Sequence, residues 1–121
     1  MLPSEFESVL KKILYEMRGV RFERRRVKVG DSEKEFDFVS IDGKYIGDAK
    51  YYKNTPTGVP SAKLSTISEY VWLLQKTDFE HKFLIFGNDK KVPKMFLKRW
   101  GSLAKDVEFY FFDGKTLERL N

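Results

Sequence analysis

Apolar residues recur along this chain with two kinds of spacing, which predict three helices and five strands. Three segments repeat apolar residues every three or four positions, as one face of a helix requires: residues 4–18, 63 or 66 to 77, and 93–104. Alternating or continuous apolar runs predict the strands: residues 20–29, the two halves of 32–52, 83–86 and 107–112. With a short helical tail after residue 112, the predicted order is αβββαβαβ(α).

This order predicts an α/β fold in which helices flank one mixed sheet. The runs at 83–86 and 107–112 are apolar without interruption, which is typical of parallel strands that are buried on both faces. A chain of 121 residues has the length of one domain and can bury one core. We therefore expect a single domain over residues 1–121.

The segment 32–52 predicts a hairpin that brings two acids together. Asp42 and Gly43 separate its strand-like halves, and this pair favours a two-residue turn in which both positions have φ > 0. With that turn, Asp37 opposes Asp48 across the hairpin. Facing carboxylates repel each other unless a positive group neutralises them, and a hard divalent cation bound by oxygen atoms would do so.

Lys50 is predicted to lie beside this acidic pair. It stands two positions after Asp48, so both side chains share one face of the strand. In the same register Lys50 opposes Glu35. We expect Glu35 to pair with the amine and orient it, or to form an ordinary cross-strand ion pair with it.

Basic residues exceed acidic ones and are concentrated in short segments. The formal net charge is +5, and one basic segment lies within 21–28 and another within 90–99. Such segments favour a phosphate-rich partner, although a solvated face explains either one equally well. The residues that we expect to contact nucleic acid are Arg24, Arg25, Arg26, Lys28 and Lys53.

The composition excludes several kinds of site. The chain has no cysteine, which excludes disulfides and thiolate metal sites, and a single histidine, His81, argues against a histidine-rich zinc site. No apolar run approaches the length that spans a membrane, and the first residues do not resemble a secretory signal. We expect a cytoplasmic protein without a membrane partner, and we expect His81 to lie at the surface where a strand begins.

The segment 53–62 is predicted to be a mobile loop. It contains two prolines, a glycine and an asparagine, which disfavour both helix and strand. Because the segment follows closely on Lys50, we expect it to lie beside the acidic pair and to close over a substrate or guide a strand towards it.

The element order and the acidic motifs together resemble the PD-(D/E)xK nuclease superfamily, whose fold is called restriction-endonuclease-like. The resemblance spans nearly the whole chain. The strand 35–39 is similar to the family's strand that carries its first metal-binding aspartate, here Asp37. Asp48-Ala49-Lys50 is similar to the (D/E)xK motif.

Within this superfamily, the closing segment 107–120 looks most like the tail of Mrr-type restriction endonucleases and archaeal Holliday junction resolvases. Two positions depart from the superfamily pattern. The second acid is Asp48 where Glu is commoner, and Phe36 stands before Asp37 where the motif has proline.

The resemblance implies a Mg²⁺-dependent nuclease that hydrolyses phosphodiester bonds, in particular an endonuclease that acts on DNA. It implies that Asp37, Asp48 and the backbone carbonyl of Ala49 hold Mg²⁺, for which Mn²⁺ could substitute. It also implies that Lys50 is catalytic, because its amine can position a water molecule or stabilise charge on the phosphorus centre.

Glu7 has two interpretations at this stage. The superfamily often supplies a further acid from its first helix, and Glu7 is the candidate for this catalytic and metal-binding role. Ser4 and Glu7 also have the spacing of a capping box, in which Glu7 would bond back to the start of the helix. Both interpretations stay open.

The alternative function is a non-cleaving module that binds nucleic acid with a nuclease-like fold. The complete set of Asp37, Asp48 and Lys50 favours cleavage over this alternative. A homodimer would let two sites cut two strands, as related resolvases do, and the sequence leaves this open.

Overall fold

A computed structural model describes residues 1–53 and 58–121, which form a six-stranded mixed sheet with helices on both faces. The helices are α1 (Pro3–Arg18), α2 (Ser61–Gln75) and α3 (Lys91–Trp100), the last followed by a 3-10 turn at Gly101–Leu103. The strands are β1 (Phe22–Val29), β2 (Ser32–Ser40), β3 (Tyr45–Tyr51), β4 (His81–Gly87), β5 (Val107–Phe112) and β6 (Leu117–Arg119). The predicted α/β class with a mixed sheet is confirmed.

The strands follow one another in the sheet in the order β1-β2-β3-β4-β5-β6. β3, β4 and β5 are parallel neighbours, and the other pairs are antiparallel. The apolar runs that predicted buried parallel strands are β4 and β5, in the interior of the sheet. His81 begins β4 and stacks its partly exposed ring on Tyr45, as expected for a residue at the entry of a strand.

Each face of the sheet carries its own core. On one side, Phe6, Leu10 and Leu14 bury one face of α1 against the sheet. On the other side, α2 and α3 cover a second core with their own apolar faces. Gly47 is needed where the Phe83 ring crosses β3, because a Cβ atom there would lie 2.4 Å from two ring carbons.

The chain ends in a strand, so the predicted helical tail is wrong. The Asp113 carboxylate accepts hydrogen bonds from the backbone N–H groups of Lys115 and Thr116 at 2.8 and 2.9 Å, which closes a turn. Leu117 then pairs with Phe112 as β6 runs back along β5. The turn reverses the chain after too few residues for a helix to begin.

The β2–β3 hairpin has the predicted register but a different turn. Val39 opposes Ile46, as expected. The connection has four residues, and of the Asp-Gly pair only Gly43 has positive φ, at 76°. The hydroxyl of Ser40 accepts a hydrogen bond from the Tyr45 N–H at 2.9 Å and so takes the place of a ladder bond. A four-residue loop centred on the same pair leaves the register unchanged.

Part of the predicted loop 53–62 is described, and residues 54–57 lie outside the described residues. At one end, the backbone carbonyl of Lys53 accepts a hydrogen bond from the Lys63 amine at 3.0 Å. At the other end, α2 begins at Ser61, earlier than the apolar spacing predicted.

Across residues 1–53 and 58–121, no helix combines the length and the apolar character that would let it cross a membrane.

Candidate functional site

The candidate site adjoins a β-bulge between β1 and β2. One residue of β1, Arg24, stands opposite two residues of β2, Asp37 and Phe38. Regular alternation would place Phe36 and Phe38 on the same side, yet Phe36 is buried in the α2 and α3 core and Phe38 in the α1 core. Bulges redirect side chains in this way and often lie next to active sites.

β2 and β3 separate just beyond the bulge, and two carboxylates lie in the gap. The paired residues end with Phe38 and Gly47. Next along the hairpin, the Asp37 N–H donates to Oδ1 of Asp48 at 2.9 Å, and the Ala49 N–H donates to Oδ2 of Asp37 at 3.0 Å. Side-chain oxygens thus replace backbone carbonyls as acceptors, and the predicted meeting of the two aspartates is observed.

Lys50 lies beside Asp48, as predicted, but it does not pair with Glu35. Its Nζ atom is 2.7 Å from Oδ2 of Asp48. Glu35 instead accepts a hydrogen bond from Arg24 at 3.2 Å. The predicted Glu35–Lys50 pair is wrong because it assumed that β2 and β3 stay paired up to these residues.

Tyr70 of α2 also contacts Lys50, and the sequence interpretation missed it. The Lys50 amine lies 3.3 Å from the centroid of the Tyr70 ring, close enough for a cation–π interaction. Tyr70 stands three positions after Ile67 on the buried face of α2. That spacing could have identified Tyr70, because it places the ring on the side of α2 that packs against the sheet.

Arg24 of β1 joins three acids, one from α1 and two from β2. Its Nη2 atom lies 2.5 Å from Oε2 of Glu7 on α1 and 3.3 Å from Oδ1 of Asp37, and its Nη1 atom lies 3.2 Å from Oε1 of Glu35. We call Glu7, Glu35, Asp37 and Asp48 the acidic cluster. With Arg24 and Lys50 it carries a formal charge of −2 when every group is ionised.

Glu7 belongs to this cluster, and the capping-box interpretation is wrong. α1 begins at Pro3, and the group that bonds back to its start is Glu5, whose carboxylate accepts from the Leu2 N–H at 3.4 Å. Glu7 lies one helical turn after Pro3, and its carboxylate contacts β1. Its partner is Arg24, which brings its carboxylate near Asp37.

Burial changes the proton affinity of two acids in the cluster. The Asp48 side chain is only 5% exposed. Burial raises its pKa to about 7, and the nearby Asp37 carboxylate acts in the same direction, against the effect of Lys50. Burial also raises the pKa of Glu7, and Asp37 adds to the effect while Arg24 opposes it.

The Tyr52 hydroxyl is buried near Asp48 and has no hydrogen-bond partner among the described residues. Burial raises the pKa of Tyr52 to about 12, with smaller contributions from Tyr70 and Asp48. Buried hydroxyl groups are nearly always hydrogen-bonded. An unpaired one near the Asp48 carboxylate indicates a place for a water molecule or a ligand group.

Only Arg24 among the residues predicted to bind nucleic acid contacts the acidic cluster. The other four are exposed: Arg25, Arg26, Lys28 and Lys53. The first three belong to β1, which is an edge strand. Charged side chains on an edge strand also prevent pairing with another chain, so their exposure is compatible with both the nucleic-acid and the solvated-face interpretation.

The donors present fit Mg²⁺ in their chemistry. The carboxylates of Asp37 and Asp48 and the carbonyl of Ala49 supply oxygen atoms, the ligands that Mg²⁺ prefers, and a divalent cation would balance the charge of −2. Within the part of the chain that the structure describes, no three acidic or histidine side chains are arranged as a metal-binding group. Arg24 contacts Glu7 and one oxygen of Asp37.

Comparisons with known proteins give no family for this chain. No family model matches it, and the comparison with curated proteins finds no match. Among solved structures, SfsA of Pyrococcus furiosus, in complex with Ca²⁺, is similar with a TM-score of 0.47 and 18% identity. The match covers 96% of this chain and 61% of the SfsA chain. A likeness at this level carries no functional conclusion, and the function has to be inferred from the site.

Proposed function

We propose that this domain is a Mg²⁺-dependent nuclease of the PD-(D/E)xK type, with a restriction-endonuclease-like fold, that cleaves phosphodiester bonds in DNA. The observation that carries the proposal is the pair of carboxylates in the gap between β2 and β3. Asp37 and Asp48 each accept a hydrogen bond from the opposite strand, and Lys50 lies 2.7 Å from Asp48. A buried acid of this kind costs stability unless a cation neutralises it.

The residues of the gap have separate roles in this proposal. Asp37, Asp48 and the Ala49 carbonyl hold Mg²⁺, which, when bound, supplies Lewis-acid stabilisation of the negative charge on the phosphoryl group. Lys50 points its amine at the same place and stabilises that charge or positions the attacking water. The Tyr70 ring faces the amine at 3.3 Å and restricts where it can point.

The charge distribution supports a polyanionic substrate. The acidic cluster repels a phosphodiester on its own, so substrate binding there requires the added cation. The exposed Arg25, Arg26 and Lys28 follow Arg24 along β1, at an edge of the sheet. Basic side chains in that position attract the phosphate backbone without reading its sequence.

The test is a cleavage assay with purified protein and Mg²⁺ on linear duplex, single-stranded, flapped and four-way-junction DNA. We expect Asp48→Asn to lower the cleavage rate by about 10²–10³-fold while DNA binding is retained. Asp31→Asn is the matched control, because Asp31 is exposed in the turn between β1 and β2. Absence of cleavage on every substrate, or equal rates for wild type and Asp48→Asn, would contradict the proposal.

A non-cleaving nucleic-acid-binding module is the second candidate, and one contact favours it. Arg24 already neutralises part of the acidic cluster, so the cluster could persist without a metal. Calorimetric titration with Mg²⁺ and Mn²⁺ separates the two functions. A nuclease binds the ion at Asp37 and Asp48, and the module does not.

A further inference from the structure

Arg24 supplies positive charge where the acidic cluster would otherwise require a metal ion. One nitrogen, Nη2, contacts both Glu7 and Asp37, at 2.5 and 3.3 Å. Arg24 lies at the bulge, opposite Asp37 and Phe38. A metal ion that bound both carboxylates would have to compete with this nitrogen for their oxygen atoms.

The two positively charged side chains of the site, Lys50 and Arg24, differ in how easily they can turn away from the acids. The side chain of Lys50 is 14% exposed and lies between Asp48 and the Tyr70 ring. The side chain of Arg24 is 47% exposed, so its guanidinium can turn outwards without crossing the core. Exposed ion pairs of this kind are weak individually. Arg24 is therefore the cation that a metal ion can expel.

We propose that Arg24 is an internal counter-ion, that a divalent cation displaces it from Glu7 and Asp37, and that the freed guanidinium then binds a phosphate group of the nucleic acid. This inference rests on the proposed nuclease function. The planar guanidinium matches phosphate with two parallel hydrogen bonds. Metal binding and phosphate binding then favour each other, since each removes a competitor of the other.

Metal titration without DNA tests the displacement directly. We expect Arg24→Gln to bind Mg²⁺ or Mn²⁺ about tenfold more tightly than wild type, which is about 1.4 kcal/mol, because no guanidinium has to leave. Arg24→Lys keeps the charge but contacts fewer oxygens, and we expect an intermediate affinity. Arg25→Gln is the matched control, because it removes the same charge from the next residue, whose partner is Glu23. We expect its affinity to equal that of wild type.

A second measurement follows Arg24 itself. In ¹H–¹⁵N spectra, the Nε resonance of Arg24, assigned by its loss in Arg24→Gln, should shift when Mg²⁺ is added, and that of Arg25 should stay in place. If wild type binds the ion and Arg24→Gln binds it no more tightly, the displacement is refuted and the nuclease proposal stands. If neither binds Mg²⁺ or Mn²⁺, both proposals fail. Circular dichroism checks that each variant is folded, and Arg24→Lys tests the same contacts with the charge retained.

Discussion

The buried Asp48 should make the metal-free protein less stable as pH rises. Its pKa is about 7 in the folded protein, against an ordinary value of 3.8. Between these values the folded chain keeps a proton that the unfolded chain has released. The free energy of unfolding therefore falls as pH rises from about 4 to about 7, and above that range this group has no further effect.

The size of the effect follows from the two pKa values. The interval from 3.8 to about 7 corresponds to roughly 4 kcal/mol in the free energy of unfolding. That is an upper figure, because Asp37 and Lys50 can adjust their positions as Asp48 ionises. Glu7 contributes in the same direction, since its pKa is also raised. Asp42 and Asp113 have lowered pKa values. The stability that they contribute to the folded protein is therefore lost only at lower pH, as they become protonated.

The assay is urea unfolding in the presence of a chelator at several pH values between about 5 and 8, for wild type and Asp48→Asn. Asparagine can still accept from the Asp37 N–H but cannot ionise, so we expect wild type to lose stability across this range and Asp48→Asn to lose much less. The comparison uses the slope with pH, because the substitution also changes the stability at any single pH, whereas the slope reports the titration of Asp48. Equal slopes for the two proteins would refute the reasoning. Asp31→Asn controls for general charge effects.

Two further predictions concern stability alone. Tyr52→Phe should leave the free energy of unfolding unchanged or raise it by about 1 kcal/mol, because the hydroxyl that it removes is buried and has no hydrogen-bond partner within residues 1–53 and 58–121; a loss of stability in urea unfolding would show that the hydroxyl is bound. Gly47→Ala should cost roughly 2–3 kcal/mol, because its Cβ would lie 2.4 Å from carbons of the Phe83 ring. Adding Phe83→Leu should recover part of that loss, and a double mutant no more stable than the sum of its single changes would contradict this explanation.

The sequence was sufficient for the parts of the site that depend on spacing. The Asp-Gly pair determines which residues of β2 and β3 face each other. The predicted two-residue loop and the observed four-residue loop are both centred on this pair, so the register is the same for either. Asp48 and Lys50 share a face because they stand two positions apart in a strand. Such features need only the geometry of a single strand or hairpin.

The sequence was insufficient where several elements meet. The bulge depends on how β1 and β2 pack against two cores at once, and no local pattern at Asp37 or Phe38 signals it. The separation of β2 and β3 beyond Phe38 and Gly47 is equally invisible in the sequence, so the hairpin register pairs Glu35 with Lys50 although Glu35 contacts Arg24. Glu7 was ambiguous for the same reason, since only the position of α1 against β1 distinguishes a cap from a member of the acidic cluster. The final strand was missed because three residues are too few to show alternation.

Buried polar groups and lost backbone pairing at the site favour a ligand there more strongly than the contacts among its side chains do. Asp48 is buried although burial opposes its charge, and β2 and β3 lose their backbone pairing beside it. The Tyr52 hydroxyl is buried without a hydrogen-bond partner in the described part of the chain. Packing alone would be served as well by apolar residues, since replacing a buried charge pair with apolar side chains is often neutral or stabilising. In the proposed function, a divalent cation would offset the burial of the Asp48 charge, and water or phosphate bound with it would offer the Tyr52 hydroxyl a partner. The proposed function therefore gives a reason for a buried acid and an open gap between β2 and β3 that packing alone does not require.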